Sequence, residues 1–489
     1  MRVRYTDEGI ADVLDDGALQ ARFAAIRAQF AVPQAFADDV VAEAAAVAAT
    51  PLDMPDRDET AVPFFTIDPP GSLDLDQAMH LERDGDGYRV RYAIVYLPAF
   101  VSPGKAIDTE SRRRGQTIYC PDERIALHPP VLSEGAASLL PGEVRAAYVW
   151  DLRLGADGEV TTAAVYRARV RSVDRLDYAT VQASLDAGAG DERFVLLKEI
   201  GEARIAGERR RGGASLPMPE QQVDRAADGS YELAFRPPLA AEEWNAQISL
   251  MTGIAAAGLM LGAGVGILRT LPSPDPQAVA RFRRQAAALG VGWPREEPYG
   301  EFLRRLDRTD PRHLALIYDA TSLFRGSGYA AFDGTPPPHP EHGALAATYA
   351  HVTAPLRRLV DRFGLAVCEA ISTGTEIPAW ARTSLPALPD IMATSGHMAA
   401  GVERASTDAV EAAVLATHLG EEFRAVVVDQ GSHGTWILQL LDPAVVAQAG
   451  TGVAVAVGHV VTARLVEADV ATGAVRFQIV AVVDDATTP

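Results

Sequence analysis

The stretch Phe64-Phe65-Thr66-Ile67-Asp68-Pro69-Pro70-Gly71-Ser72-Leu73-Asp74-Leu75-Asp76-Gln77-Ala78 is the most informative in the chain. An apolar, strand-forming run ends at Asp68, and Pro69-Pro70-Gly71 then forces a loop. Asp74 and Asp76 lie two apart, so in an extended segment they face one way while Leu73 and Leu75 face the core. Three carboxylates aimed at one point repel one another unless a cation sits among them. Hard oxygen ligands suit Mg²⁺ or Mn²⁺, the ions used for phosphodiester chemistry. The competing reading is an acidic, solvated loop, which would not need so apolar a strand before it.

Around this stretch the pattern is of strands: Phe64–Ile67, Met79–Arg83 and Tyr88–Val95. The last two are joined by Asp84-Gly85-Asp86-Gly87, which lacks the later ligands of a calcium loop and reads as a hairpin turn. Strand and loop continue to about Thr180, and helices dominate from there to Ser372. Upstream, Ile10, Val13 and Leu14, then Phe23, Ile26 and Phe30, repeat with helical spacing. An alanine-rich helix, Val40–Thr50, and a linker, Pro51–Asp58, follow. Downstream, a Pro-rich connection, Pro378–Pro389, leads to a last helix, Ala399–Leu419. Five strands are then expected: Phe423–Val428, Gly434–Leu441, Val453–Val457, Val460–Val466 and Val475–Val482. Their spacing points to a small OB-type barrel, a common platform for single-stranded nucleic acid. The expected architecture is α+β. A mixed sheet surrounded by helices occupies residues 59–419, a small helical accessory region 1–58, and an OB-type β-barrel 420–489.

The spacing Asp-x5-Asp-x-Asp after this strand resembles the signature of the ribonuclease II family, the RNB domain. Tyr349-Ala350-His351-Val352-Thr353-Ala354-Pro355-Leu356-Arg357-Arg358 resembles that family's Y-x-x-x-T-S-P-I-R-R element. In the family's order between them lie GQTIYCP (Gly115–Pro121), SLLPGEVRAAYVWDLRL from Ser138, and GILRTLPSPDP from Gly266. The resemblance spans roughly residues 60–415. It implies a metal-dependent 3′→5′ exoribonuclease that hydrolyses single-stranded RNA to 5′-nucleoside monophosphates. Asp68, Asp74 and Asp76 match the family's first three aspartates, with Asp76 the one tied most directly to catalysis. Gln77 stands where the family has a fourth aspartate; its carbonyl oxygen can ligate a metal but brings no charge. The implied metal set is therefore Asp68, Asp74, Asp76 and Gln77, holding Mg²⁺ or Mn²⁺. The family usually carries two cold-shock barrels ahead of its catalytic domain, and 58 helical, acidic residues leave no comfortable room for one.

The other site residues are weighed the same way. Pro355 suits the start of a helix, which would put Arg357, Arg358, Asp361 and Arg362 on one face. That pattern alone reads as a salt-bridged surface. The resemblance makes Arg357 the phosphate-contacting cation, which stabilises charge developing on phosphoryl oxygens. Arg358 is either a second RNA contact or a neighbour. Ala354 replaces the family's usual serine, with the expected loss of an N-cap hydrogen bond. Tyr119 matches the aromatic residue that stacks on bases near the 3′ end, a contact any base can make. Tyr178 is a weaker candidate for RNA contact. The run Arg209-Arg210-Arg211 is either surface charge or channel lining. Glu403 and Glu411 both lie near the place of the family's catalytic glutamate. His339, Glu341 and His342 are metal ligands by type in what reads as a solvated loop.

Composition bounds these readings. The 489 residues carry 65 acids and 45 bases, a net charge of −20, which argues against a general nucleic-acid or anionic-membrane binder. Residues 1–58 hold 11 acids and 5 bases, and residues 372–489 hold 13 and 5, so 35 of the bases lie between. Only Lys105 and Lys198 are lysines, so phosphate would be gripped by guanidinium forks. The N-terminal region, with five arginines against eleven acids, is not expected to read DNA. Two cysteines, Cys120 and Cys368, are too few for a disulfide framework or a structural zinc site, and the start of the chain has no apolar signal segment. A cytoplasmic, monomeric protein is expected, with single-stranded RNA as partner and neither DNA nor membrane. Ile248–Leu268 is uncharged over 21 residues but holds five glycines, and reads as a buried helix running into a Gly-rich loop. Two other functions remain open: a catalytically weak RNB protein that regulates by binding RNA, and a metal-dependent phosphoesterase of small substrates.

Overall fold

A computed structural model describes residues 16–188, 190–216, 218, 220–225, 231–236 and 238–483. The earliest expected helical positions, Ile10, Val13 and Leu14, lie outside them.

The first strands are β1 (Phe64–Ile67), β2 (Gln77–Asp84), β3 (Gly87–Val95), β4 (Ile118–Tyr119), β5 (Arg124–Ile125), β6 (Val144–Leu154) and β7 (Val160–Leu176). Five of them close into a barrel in the order β1-β2-β3-β6-β7, with β1 returning to lie parallel to β7. The expected hairpin is there: Asp84 pairs with Gly87, and Gly85 takes the left-handed conformation (φ 60°) that the turn requires. Strand alternation sorts the side chains. Phe65, Ile67, Met79, Tyr92, Trp150 and Leu152 enter one core, whereas Phe64, Ala78, Ala93, Val95 and Val149 enter another.

Helices cover both cores. They are α1 (Asp16–Gln29), α2 (Asp38–Ala49), α3 (Ala106–Arg114), α4 (Tyr178–Asp186), α5 (Glu192–Arg211) and α6 (Ala240–Ala263). Val40 and Ala44 of α2 and Ile107 of α3 pack on the second core, and Leu197 and Ile200 of α5 on the first. α6 is long and apolar enough to cross a membrane by composition. Its Trp244, Ile248, Met251, Ala257 and Met260 are instead buried in the first core. Gly264 (φ 73°) ends α6. The segment expected as a Gly-rich loop then continues as a strand, Val265–Thr270, paired with Gly328–Asp333. Alternating Val265 and Ile267 have a core to enter there.

Two expectations need correction towards the C-terminus. The Pro-rich connection is itself helical, over Ala379–Ser384 and Leu385–Ala387, and the last helix starts at Leu388 rather than Ala399. Pro389 sits in its first turn, where a missing N–H costs nothing. The C-terminal barrel closes with strands Glu422–Gln430, Trp436–Leu440, Val446–Thr451, Ala474–Val482 and Val460–Asp469 in spatial order. Its third strand is Val446–Thr451 and not Val453–Val457. Val446–Thr451 finds a partner on each side, whereas Val453, beyond Gly452, is exposed. Phe477 is buried in this barrel's core and so cannot present a stacking face to RNA. Ala412 and Leu415 of the long helix (Leu388–Leu415) share that core, which welds barrel to helix.

The N-terminal helix α1 does more than cover surface. Leu19, Phe23 and Ile26 pack against Ile118 and Ile125 of the β4–β5 hairpin and against Val402 and Val410 of the long helix. Arg27 adds a clamp: Nη1 donates to both carboxylate oxygens of Asp122 at 2.8 Å, and Nε lies 2.9 Å from Glu123. Arg27 and Asp122 are nearly buried, and breaking such a pair from one side leaves an uncompensated charge, which costs about 3 kcal/mol or more. Arg27→Ala should therefore lower the unfolding temperature clearly in a thermal melt, and a second change, Asp122→Asn, should recover much of the loss. An unchanged melt for Arg27→Ala would contradict this role.

Candidate active site

The loop from Asp68 to Asp76 is strapped down by backbone bonds. The Asp68 N–H donates to Leu176 of β7 at 3.1 Å, and the Val95 N–H of β3 donates to the Asp76 carbonyl at 3.0 Å. Ser138 bridges its middle, donating to the Leu73 carbonyl at 2.6 Å and accepting from the Leu75 N–H at 3.0 Å. Leu75 is fully buried as expected, but Leu73 is exposed. The Pro-Pro-Gly turn and the Ser138 strap keep the loop from a regular extended run, so strict alternation fails at Leu73.

Asp76 is buried, 1% exposed. Its Oδ1 accepts from the Leu356 N–H at 2.7 Å and its Oδ2 from Arg357 Nε at 2.8 Å. Burial pushes its pKa up to about 7 against the opposing pull of Arg357 and the Leu356 N–H. Asp74 faces Arg124 of β5, with Nη1 2.5 Å away, and Arg124 also pairs with Glu134. Asp68 is raised to about 6, first by burial, with Arg357 opposing and Asp74 repelling. Its Oδ2 is buried and has no hydrogen-bond partner among the described residues; the same holds for Gln77 Oε1.

Arg357 is held in a tight turn ahead of the helix Leu359–Thr373, not on it. The expected one-sided helical face is therefore corrected, because Pro355 opens the turn and Arg358 is the N-cap. Each neighbour has its own acid. Arg358 donates through Nε and Nη2 to Asp361 at 2.9 and 2.8 Å, and Arg362 is buried against Asp108 at 2.6 Å. Asp361 reaches back to accept from the Ala354 N–H at 2.7 Å, so no serine is needed at that position to tie the turn to the helix. Strand-like contacts fix the other side: Thr117 N–H donates to the Arg357 carbonyl, and Leu359 N–H to Gly115, both at 2.9 Å. Gly115 has φ 72°, and a Cβ there would meet Ser395 Oγ at 2.5 Å, so only glycine allows this approach.

A cavity of about 330 Å³ opens over Arg357. Gln116, Thr117, Tyr119, Arg358, Ala399 and Glu403 complete its lining. Tyr119 on β4 is 54% exposed, so its ring is available for stacking. The two glutamates are now distinguished. Glu403 faces this cavity, whereas Glu411 is buried and accepts from the Val446 N–H at 3.0 Å, tying the long helix to the C-terminal barrel. Tyr178, at the start of α4, lies beside Asp68. Its pKa is pushed up to about 12 by burial and that carboxylate, and its hydroxyl accepts from Asn245 Nδ2 at 3.2 Å. Arg210 and Arg211 are engaged with Glu159, so that part of the triple-arginine run is structural.

The metal cage expected of Asp68, Asp74, Asp76 and Gln77 is more open than the spacing implied. Among the described residues no three His, Cys, Asp or Glu side chains converge on one point, the loop with His339, Glu341 and His342 included. Asp74 and Asp76 have each found a guanidinium instead. Asp68 nonetheless keeps a buried oxygen without a partner and has Asp74 near enough to repel it, a hard-oxygen chemistry that fits a divalent cation; Gln77 Oε1 is likewise unsatisfied.

Residues 56–366 match the RNB domain, and residues 421–480 match the RNase II-type exonuclease C-terminal S1 domain. The chain belongs to the RNB family. Ribonuclease R of Escherichia coli (strain K12) is 30% identical over 318 residues, covering 61% of this chain and 38% of the relative. This RNB chain spans about a third to two fifths of the length of the first curated relatives it matches. Among solved structures, Mycoplasma genitalium RNase R in complex with ribose-methylated single-stranded RNA shares the fold with a TM-score of 0.85 at 17% identity, over 95% of this chain and 78% of that one. Yeast Ssd1, described as a pseudonuclease, shares it with a TM-score of 0.67 at 15% identity, over 82% and 51%.

Sequence reasoning missed one member of the site and left another undecided. Arg124, which holds Asp74, lies only five residues after Tyr119 and could have been read as its hairpin partner. Glu403 could not be told from Glu411 without the helix register.

The raised carboxylates make stability depend on pH. An unfolded aspartate titrates near 3.9, so the folded state binds protons on Asp68 and Asp76 more tightly. The stability this adds is complete below about pH 4 and is lost as pH rises through 6 to 7. In a chelator, the unfolding temperature of wild type should fall across that window, and Asp68→Asn should flatten the fall. At pH 8, Mg²⁺ or Mn²⁺ should raise the wild-type melt more than that of Asp68→Asn. Equal cation responses would contradict a metal-ligating Asp68.

Proposed function

We propose that this chain is a metal-dependent 3′→5′ exoribonuclease that hydrolyses single-stranded RNA to 5′-nucleoside monophosphates. The observation that carries the reading is the Asp76–Arg357 pair beneath a cavity with Tyr119 at its side. Exposure falls along this set, from 54% at Tyr119 through a 38% exposed Arg357 side chain to 1% at Asp76. An approach that narrows in this way suits a chain terminus better than the middle of a strand. The direction of attack, from the 3′ end, rests on the family resemblance.

The roles follow from the chemistry. Tyr119 offers a π-face to the terminal base, worth roughly 1–3 kcal/mol and indifferent to sequence. Arg357, held by Nε, is a permanent cation next to the phosphoryl group, where it stabilises charge that grows in the transition state. Asp76 fixes that guanidinium rather than reaching the substrate itself, since both its oxygens are occupied. Glu403, which lines the cavity, and Tyr178, beside Asp68, are second contacts for the nucleotide. Asp68 and Asp74, with the neutral oxygen of Gln77, would hold Mg²⁺ or Mn²⁺. When bound, the ion supplies a more acidic water and neutralises phosphate charge. Arg358 is committed to Asp361 and lines the cavity without a free fork. DNA and membranes lie outside this reading, and a cytoplasmic monomer is its working state.

Fold alone does not decide activity, since a pseudonuclease has the same fold, and Gln77 removes one charge from the metal set. The test is 5′-labelled single-stranded RNA with Mg²⁺ or Mn²⁺, comparing wild type, Asp76→Asn and Arg357→Ala. Stepwise 3′ shortening should appear with wild type and drop at least about 100-fold in either variant. Binding without shortening would favour the regulator, and neither binding nor shortening would leave the small-substrate phosphoesterase. Tyr119→Ala should raise KM on short RNA about tenfold with little change in kcat.

A further inference from the structure

A second cavity, of about 340 Å³, shares no lining residue with the first. It lies where the end of β3, the β6–β7 pair and the helix Leu359–Thr373 meet. Its walls are aromatic: Tyr96 and Tyr148 meet edge to face with ring centres 5.0 Å apart, and Trp380 adds a third ring. Polar groups in these walls are left incomplete. Tyr148 is 2% exposed, and its hydroxyl has no hydrogen-bond partner among the described residues. Glu369 is nearly buried and offers one carboxylate oxygen to Arg167 Nε at 2.9 Å, which leaves the other. Arg167 turns Nη1 to the Tyr96 hydroxyl at 3.4 Å and keeps Nη2. A buried tyrosine hydroxyl ordinarily finds a partner, and this cavity is far larger than a single water needs.

Aromatic walls with donors and an acceptor among them suit a nucleobase, whose faces stack and whose edge both donates and accepts. Charge narrows the choice. Arg167 and Glu369 cancel, and Glu376 leaves the lining net negative, so phosphate is not drawn inside. A base can enter while its phosphates stay outside, and β7 offers them a course. Arg167, Arg169, Arg171 and Arg175 share one face of β7, the face opposite buried Ala168, Val170 and Ser172. Alternate residues of a strand lie about 6.6 Å apart, close to the separation of successive phosphates in an extended single strand. Arg171 and Arg175 have no ion pair among the described residues and donate to the carbonyls of Thr60 at 3.4 Å and Ser72 at 3.1 Å. Arg169 pairs with Asp58 at the surface, a contact that phosphate can replace. Ser72 belongs to the Asp68–Asp76 loop, so the line of arginines runs from the second cavity to the aspartates of the active site.

We propose that the second cavity takes a nucleobase of single-stranded RNA, upstream of the end held at Arg357, with the backbone laid along the arginines of β7. The inference rests on the exoribonuclease reading for its partner, RNA. The Tyr148 hydroxyl and Arg167 Nη2 donate to acceptors on the base edge, Glu369 accepts from its N–H, and Tyr96 and Trp380 offer their rings. Arg171 and Arg175 pair with the intervening phosphates. Arg167 and Arg175 lie about 26 Å apart along the strand. A strand of about four nucleotides therefore cannot fill the active site and this cavity together, and only longer RNA gains from the second contact.

The test is the anisotropy of 5′-labelled single-stranded RNA binding to the full chain in a chelator, with Tyr148→Phe and Arg171→Gln each melted in parallel. Wild type should hold a long strand more tightly than a short one of about four nucleotides. Tyr148→Phe should weaken binding of the long strand about fivefold. Arg171→Gln should weaken it too and reduce the salt slope of its affinity by about 0.7. Neither change should be felt by the short strand. Wild-type affinity for the long strand in either variant overturns the assignment. So do equal losses on both strands, because the residues would then act at the 3′ end or on the fold. Adenosine 5′-monophosphate separates the other source of a base: if Tyr148→Phe loses this nucleotide but keeps the long strand, the cavity serves free nucleotides and the assignment fails. A wild type that shows the expected pattern yet leaves RNA intact with Mg²⁺ or Mn²⁺ overturns the exoribonuclease reading while supporting this surface.

Discussion

The ion pair between Asp76 and Arg357 joins residues 281 apart in sequence and is the constraint around which the site is arranged. Asp76 is the last residue before β2, and Arg357 closes the turn before the helix Leu359–Thr373. A buried carboxylate is tolerated only where donors surround it, and here Leu356 N–H and Arg357 Nε supply them. The pair thus docks the barrel on the helical half and sets the direction of the guanidinium in one contact. Removing Arg357 leaves the buried Asp76 charge without its counterpart, which costs about 3–5 kcal/mol. Structural necessity and chemical role coincide in the same two side chains.

Arginine plays two parts in this lysine-poor chain. Arg362 on Asp108 and Arg204 on Glu159 join separate segments through buried guanidinium groups, and Arg114 on Glu110 pairs within α3. Arg357 alone among these also lines the cavity. The arginine content of the middle of the chain is therefore spent largely on internal pairing. Under the proposed function, RNA grip would fall to a few groups around the cavity. The hairpin that carries Tyr119 also carries Arg124, which holds Asp74, and is itself clamped by Arg27 from α1. The N-terminal helices are thus part of the scaffold of the site and not an appendage.

Much of this was legible in sequence because the signals were local. Apolar, strand-forming runs marked β1 to β3, the Asp-Gly turn marked the β2–β3 hairpin, and the aspartate spacing with the Thr-Ala-Pro-Leu-Arg-Arg element marked the site. Illegible features depended on long-range partners. The helical face imagined for Arg357, Arg358 and Arg362 dissolved because each arginine found a different acid. Val453–Val457 alternates as well as Val446–Thr451 but has no strand to pair with. The metal cage looked closed because three acids sat close in sequence, whereas Arg124 and Arg357, from distant segments, draw two of them apart. Glu403 and Glu411 differ by two turns of one helix, and only its register shows which faces the cavity.

The central claim is that Asp76 acts through Arg357. The direct measurement is a double-mutant cycle on kcat/KM for single-stranded RNA hydrolysis, using Asp76→Asn, Arg357→Ala and the double variant, each checked for folding by its melt. If Asp76 serves to hold the guanidinium, the double variant should be no slower than Arg357→Ala alone. If the two losses multiply, the residues act independently and the account of the site is wrong.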